Sequence, residues 1–436
     1  MQLSYFTTVA IVLVVVEVPA AFGRDLTLDE AVAIAKAQSP LVAIEQARLD
    51  EAEADDTVAR AALFPRLSAS LSYAWLDDGR LSPLPSATNV GMALYGEEAY
   101  AAVRGKQVVF DGLRGWRARS ATARGIDAAQ AGVTASQADA VLAATVGFAR
   151  LLAVQSLCDV ARTAAERQRA FVALTRARLA TGRGSELDAL KAEAQRLDAE
   201  RALVAARGAE ASAQAQLRRV LGIEEVVPLS AVGVLADSAG ASVDESTLLG
   251  AALAHDPDVG RVTAQLEQAR ALAAAVRGGY FPEVSVQGTY GYRRRDVGGE
   301  APEWTAGLYL EWGIFEGGAT LGQVDKAAAR FAALEESARA LRLQIAAEVS
   351  ETVSAWNTAA ASVEASREAA LASERALEAA GALYELGRAT ALDVLTAQSE
   401  LSRAEAAVVQ AQADLATAQA RAARLVGLGV RGVEGQ

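Results

Sequence analysis

One cysteine and one histidine are all that the 436 residues contain. A single thiol cannot close an intramolecular disulfide, and Cys158 lies too deep in the chain to be the lipid-bearing first residue of a processed protein. Its Ala-rich helical setting predicts a small buried hydrophobe. His255 stands just before Asp256-Pro257 at an expected helix end, a place for C-terminal capping rather than general-base work. One Cys and one His make no transition-metal cluster. Gly182-Arg183-Gly184-Ser185 lacks the lysine of a phosphate loop, and no Gly-x-Ser-x-Gly elbow occurs. No catalytic, metal-binding or cofactor-binding residues are expected, so the chain is not read as an enzyme.

Basic charge is also scarce: the formal net charge is -12, which argues against nucleic acid as a partner because phosphate binding needs concentrated Lys and Arg. Long apolar runs are missing beyond residues 6–16, which with Pro19 and the small residues up to Gly23 read as a secretory signal over 1–23. No further stretch of ~18 apolar residues is expected, so membrane-spanning helices are excluded and a membrane role would need β-strands. Proline is rare and its placement is informative. Pro19, Pro40, Pro65, Pro83, Pro85, Pro228, Pro257, Pro282 and Pro302 leave 86–227 and 303–436 without any. Interior proline costs a helix ~3 kcal/mol, so these gaps, filled with Ala, Leu, Glu, Arg and Gln, permit very long helices.

What is present is repeated. Phe64-Pro65 recurs as Phe281-Pro282, and Ser39-Pro40 is matched by Asp256-Pro257, at an offset of 217. Phe110-Asp111-Gly112 recurs as Phe315-Glu316-Gly317 at an offset of 205, which also relates Gly182 to Gly387 and Asp188 to Asp393. The difference of 12 residues therefore falls between residues 65 and 110, as for a duplicated unit differing in one loop. The expected first repeat is 24–222, with a hairpin at about 66–111 and long helices over 113–181 and 186–221. A linker follows over 223–246. The second repeat is 247–428, with a hairpin at about 283–315 and helices over 318–386 and 390–425, leaving a tail at 429–436.

Helices of this length run to about 100 Å at 1.5 Å per residue and need support from neighbours. Val324, Phe331, Leu334, Leu341, Ile345, Val349, Val353 and Trp356 supply a coiled-coil-like seam. At the start of the first repeat, Thr27 and Glu30 predict a capping box.

The hairpins change the period to two. Leu67, Ala69, Leu71, Tyr73 and Trp75 alternate with Ser68, Ser70 and Ser72; Arg104 and Lys106 share one face of a weaker strand through 99–110. Val284, Val286, Tyr290 and Tyr292 alternate with Ser285, Gln287 and Thr289. Trp304, Ala306, Leu308, Leu310, Trp312 and Ile314 alternate with Thr305, Gly307, Tyr309 and Glu311. Four strands of ~10 residues with one apolar face suit a hydrocarbon layer, but four cannot close a barrel, for which about eight are needed, so copies must pool their strands. The alternative is a small water-soluble sheet capping a coiled coil. Tyr73, Trp75, Tyr290, Tyr292, Trp304 and Trp312 near the strand ends read as an aromatic girdle.

The order of helix, hairpin, very long helix, glycine break and helix, given twice, resembles the TolC-type outer-membrane efflux channels over about residues 25–428. The landmarks are Leu28-Asp29-Glu30-Ala31, the Phe-Pro before each hairpin, the Phe-Asp/Glu-Gly after it, and the run from Leu386 to Leu395 at the second break. The resemblance implies a mainly α fold with a small membrane β-barrel portion: a homotrimer in the outer-membrane lipid, whose twelve pooled strands form one barrel continued by a periplasmic α-helical barrel. It implies docking of a periplasmic adaptor at Gly182 and Gly387, and through it an inner-membrane transporter. It also implies a periplasmic gate at Asp188, Tyr384, Arg388 and Asp393. Thr396 stands where the family has a second ring carboxylate, and Ala389 where it has the link arginine. The expected function is the passive exit duct of a tripartite efflux pump or type I secretion system. The competing class is a soluble periplasmic coiled-coil scaffold or adaptor.

Overall fold

The computed structural model describes residues 24–75, 97–235, 244–295 and 299–427. The expected signal segment 1–23 and tail 429–436 lie outside the described residues, as does most of the loop within the first hairpin.

The described residues open with β1 (Arg24–Leu26), α1 (Leu28–Gln38) and α2 (Pro40–Ala61). The first hairpin is β2 (Arg66–Trp75) and β3 (Glu97–Phe110); α3 (Arg114–Ala180) and α4 (Glu186–Leu221) follow. After β4 (Leu229–Ala231) come α5 (Glu245–His255), α6 (Pro257–Val276) and a 3-10 turn at Arg277–Tyr280. The second hairpin, β5 (Glu283–Arg295) and β6 (Gly299–Glu311), leads to α7 (Ala319–Glu385) and α8 (Ala391–Leu425).

Local chemistry accounts for many boundaries. The Thr27 amide donates to Glu30 Oε2 at 2.9 Å and Glu30 N–H returns to Thr27 Oγ1 at 3.4 Å, the reciprocal capping box that starts α1. Pro40 and Pro257 each open a helix, where the missing N–H costs nothing. His255 Nδ1 lies 3.1 Å from the Ala251 carbonyl and so helps to finish α5. β6 stops at Glu311, so Trp312 and Ile314 fall beyond the strand that the alternation had extended to them.

Two compact units cut across the repeats, each drawing segments from both. One comprises Met1–Ile34, Ala144–Asp237 and Ser362–Ala413; the other comprises Ala35–Ala143, Ser238–Ala361 and Asp414–Gln436. In the first, β1 and β4 pair in parallel, Arg24 with Leu229 through Leu26 with Ala231. Leu26 and Leu229 on these strands are fully buried, as are Leu151, Leu217 and Leu221 of the same unit. Nothing in the sequence pattern marks it, because three-residue strands carry no usable period.

In the second unit β2, β3, β5 and β6 form one antiparallel sheet in that order. The helical part of this unit is cored by Ala121, Ala128, Ala140, Ala269, Ala420 and Ala422 with the seam of α7. Ile345, Val349, Val353 and Trp356 are buried, whereas Val324, Phe331, Leu334 and Leu341 are only half-buried. Alanine explains a departure from expectation. One 18-residue window of α3 has mean hydropathy 1.7 and is long and apolar enough to cross a membrane by length and composition, although no such stretch beyond 6–16 was expected. Small side chains raise hydropathy where helices pack closely: Ala140, Ala144, Leu151 and Ala153 are buried. Cys158 is half-buried rather than buried; desolvation first, then the nearby Glu210 charge, pushes its thiol above the ordinary range and keeps it protonated.

Candidate functional site

The sheet sorts its side chains by register. Leu71 stands opposite Ala101, which stands opposite Tyr292; Ala69 lies opposite Val103, Val103 opposite Tyr290, and Tyr290 opposite Trp304. Because neighbours directly opposite share a face, one side of all four strands collects Leu67, Leu71, Tyr73, Trp75, Val103, Val286, Tyr290, Tyr292, Trp304, Leu308 and Leu310. The other collects Ser68, Ser70, Ser72, Arg104, Lys106, Gln287, Thr289 and Thr305. The apolar face is uncovered within the chain: Leu71 is 83% exposed, Trp304 74% and Leu308 72%. β2 and β6 are the outer strands, so each presents one unpaired edge.

Of the six aromatics expected near strand ends, Tyr73, Trp75 and Tyr292 lie toward the hairpin-turn end of this apolar face, whereas Tyr290 and Trp304, directly opposite each other, lie near the middle of their strands. Tyr73 packs edge-on against Trp75, with centroids 4.9 Å apart, and its hydroxyl reaches Glu97 at 2.6 Å. Trp312 is at the other end, where its indole donates to the Tyr280 carbonyl at 3.3 Å. That end carries more exposed aromatics than the sequence argument named: Phe64, Phe110, Trp116, Tyr280, Phe281 and Phe315. Phe64, Phe110, Phe281 and Phe315 belong to the repeated Phe-Pro and Phe-Asp/Glu-Gly landmarks, which was the available signal. Trp304 and Trp312 are eight positions apart, about 26 Å of extended chain at 3.3 Å per residue, which a strand tilt of about 40° would reduce to about 20 Å along a barrel axis. On the polar face Arg293 joins Glu98 and Glu303, the latter at 3.0 Å, and lies 4.6 Å above the Tyr100 ring. Three strands are thereby tied together.

The two helical turns of the other unit use one device. Gly182 and Gly387 have φ of +69° and +73°, the left-handed region where a Cβ is costly. Arg183 N–H closes back on the Arg178 carbonyl at 2.9 Å, and Arg388 N–H on the Leu383 carbonyl at 2.8 Å. An added Cβ at either glycine would meet no neighbour, so the requirement is conformational.

Asp188 and Asp393 sit at equivalent third positions of α4 and α8 yet behave differently. Thr390 donates to Asp393 through both its amide and its hydroxyl, each at 2.7 Å, and these bonds hold the carboxyl below the usual range. Asp188 is half-buried and makes no hydrogen bond or ion pair among the described residues, since Ser185 Oγ takes the Leu187 amide alone. Arg388, Asp393 and Thr396 are exposed. Within one chain Asp188 is not joined to Tyr384 or to Arg388.

Tyr384 is instead only 7% exposed, in a cluster with Phe171, Val172, Ala192, Ala391, Val394 and Leu395. Its ring lies 5.5 Å from that of Phe171. Arg178 covers it at 4.4 Å and donates to the Tyr384 carbonyl at 2.7 Å and the Glu385 carbonyl at 3.4 Å. A cation here complements the carbonyls at the end of α7, of which that of Tyr384 also accepts the Gly387 amide at 3.0 Å. Arg178 was missed by sequence reasoning; its only signal was a break in the repeat, since the matching position is Leu383.

Comparison with known proteins adds the remaining finding. A family model described as outer membrane efflux protein matches residues 31–223 and 248–428. The chain is 28% identical over 252 residues to the outer membrane efflux protein BepC of Brucella suis biovar 1 (strain 1330), covering 57% of this chain and 54% of that protein. It is 29% identical over 335 residues to the fusaric acid resistance protein FusA of Burkholderia cepacia, covering 70% of this chain and 58% of that one. The chain thus spans a little over half the length of these curated relatives. Among solved structures, the outer membrane protein VceC from Vibrio cholerae superposes with a TM-score of 0.76 at 19% identity, over 92% of this chain and 96% of that one. This is a likeness of fold.

Proposed function

Since this chain belongs to the outer membrane efflux protein family, we propose that it works as a homotrimeric outer-membrane channel, the passive exit duct of a tripartite efflux pump or type I secretion system. The observation that carries this reading is the sheet with an apolar face, a polar face and two open edges. Unpaired strand edges are not tolerated in lipid, so the sheet needs further strands on both sides. Three copies, each joining β2 to a neighbour's β6, give a closed twelve-stranded barrel with its apolar face toward lipid and its polar face lining the lumen. The half-buried seam residues of α7 suit packing against an adjacent copy in a helical periplasmic tunnel. The name of FusA favours small molecules over polypeptides as cargo.

The turns at Gly182 and Gly387 are the proposed docking points for a periplasmic adaptor, which links the duct to an inner-membrane transporter. The gate is proposed at the same turns. Arg178 and Phe171 hold Tyr384 in place, Asp188 and Arg388 remain available to a neighbouring copy, and Asp393 keeps its helix end closed. The test is planar-bilayer conductance of the purified full chain, wild type beside Tyr384→Phe/Asp188→Ala. Discrete channels that enlarge in the double variant are expected. Unchanged closed-state conductance would remove the gate assignment, and protein that stays soluble and never inserts would favour the scaffold class.

A further inference from the structure

The polar face of the sheet carries a band of positive charge that the chain itself leaves unanswered. Arg66 stands directly opposite Lys106, and Ser68 directly opposite Arg104. The same two rows continue through Gln287 and Thr289 on β5 to Gly307 and Thr305 on β6. Two adjacent rows across four strands therefore hold three cations and no carboxylate. Like charges directly opposite each other destabilise a strand pair, so this arrangement has a cost. Only Lys106 is compensated, by Glu283 at 2.9 Å, and that carboxylate is shared with Arg114 at 3.5 Å. Arg66 and Arg104 are exposed and make no hydrogen bond or ion pair among the described residues.

The other charges on this face lie to either side. Toward the hairpin turns Arg293 is matched by Glu98 and Glu303. In the end row Glu283 stands opposite Glu311. A chain of net charge -12 thus places two unpaired cations, Arg66 at the start of the outer strand β2 and Arg104 within β3, on a face whose remaining side chains in those rows, Lys106 apart, are neutral hydrogen-bonding groups.

We propose that Arg66 and Arg104 form an oxyanion-binding belt in the lumen of the barrel, through which carboxylate- or phosphate-bearing small solutes are drawn. This rests on the duct reading, which turns the polar face inward and brings three copies of each arginine round one lumen. Low-dielectric walls focus the field of such a ring, and rings of Arg or Lys give pores anion preference. The planar guanidinium fork suits bidentate contact with carboxylate or phosphate, and the neighbouring Ser68, Thr289 and Gln287 can complete the contacts.

The experiment is single-channel recording of the full chain in a neutral-lipid bilayer at low ionic strength, with inorganic pyrophosphate titrated as the probe. Wild type is expected to show saturable block. Arg66→Gln/Arg104→Gln should need roughly tenfold more pyrophosphate, as loss of paired charges on an oxyanion implies, while Arg66→Lys/Arg104→Lys, which keeps the charge but loses the fork, should fall between the two. Arg104→Gln alone, away from the sheet edge, should show part of the effect. Channels blocked equally in wild type and both Gln variants would overturn the belt and leave the duct standing. An Arg66→Gln trimer that falls apart, beside an Arg104→Gln channel with unaltered block, would assign Arg66 to an ion pair with the adjacent copy and overturn it too. Absence of channels in every form would remove the duct and the belt together.

Discussion

At the residue scale the most consequential buried charge is Arg424. Its guanidinium pairs with Asp139 and Asp256, each at 2.9 Å, and with Asp258, which also holds Arg261 at 2.7 Å. The Asp256 side chain is 1% exposed and that of Arg424 11%. Burial pushes the Asp256 carboxyl up despite Arg424. Burial also acts upward on Asp258, but the hydrogen bonds and charges of Arg424 and Arg261 outweigh it and hold that group low. Removing the cation strands buried carboxylates. Arg424→Ala should therefore lower stability by about 3 kcal/mol, seen as earlier loss of helical circular dichroism on heating. A loss no larger than that of an exposed Arg→Ala control would contradict this.

Asp393 gives a pH prediction of known sign. Its folded carboxyl is held below its unfolded value by Thr390, so its support for the start of α8 is complete above the ordinary Asp range and fades as pH falls through the depressed folded value. Hydrogen exchange at the first amides of α8, corrected for intrinsic rates, should quicken in that acid window. Asp393→Asn should show little such dependence.

At the scale of elements, the glycines that follow the strands and helices differ in what they demand. Gly112, in the turn from β3 to α3, has φ +71°, and an added Cβ would fall 2.4 Å from the Gly278 carbonyl oxygen and 2.7 Å from Phe281 Cβ. Both backbone strain and collision oppose any side chain there. Gly112→Ala should cost about 2 kcal/mol or more, whereas Gly387→Ala, with open space around it, should cost about 1 kcal/mol. Equal costs in thermal unfolding would mean that the Gly112 turn relaxes freely.

For the whole molecule the decisive property of the proposed barrel is which face of the sheet meets lipid. Leu71 and Ser70 are adjacent on an outer strand but belong to opposite faces. In a membrane barrel Leu71→Arg should lose about 1 kcal/mol, since it shares a row with Tyr292 rather than lying at the midplane, where the loss would reach ~2–4 kcal/mol, and Ser70→Arg, on the luminal side, should lose little. Unfolding in lipid vesicles measures the difference. Comparable losses would mean that the faces are not divided between lipid and water.

The sequence by itself determined the long helices and the hairpin strands, though not the three-residue strands β1 and β4. Helix and strand periods follow from backbone geometry, so proline-free Ala-rich stretches and alternating hairpins could be recognised without knowing what they touch, and Thr27 with Glu30 marked a helix start within four residues. Register was half determined, since each strand's apolar face was legible but its partner was not. Tertiary structure alone decided the pairing of β1 with β4, the clasp of Arg178 on Tyr384, the cluster around Arg424, and the contrast between a bonded Asp393 and an unbonded Asp188. The reason is combinatorial and physical: 42 basic and 54 acidic side chains offer many near-equivalent partners along the chain. Only the packed helices bring a few of them within hydrogen-bonding distance and away from water, where pairing carries free energy.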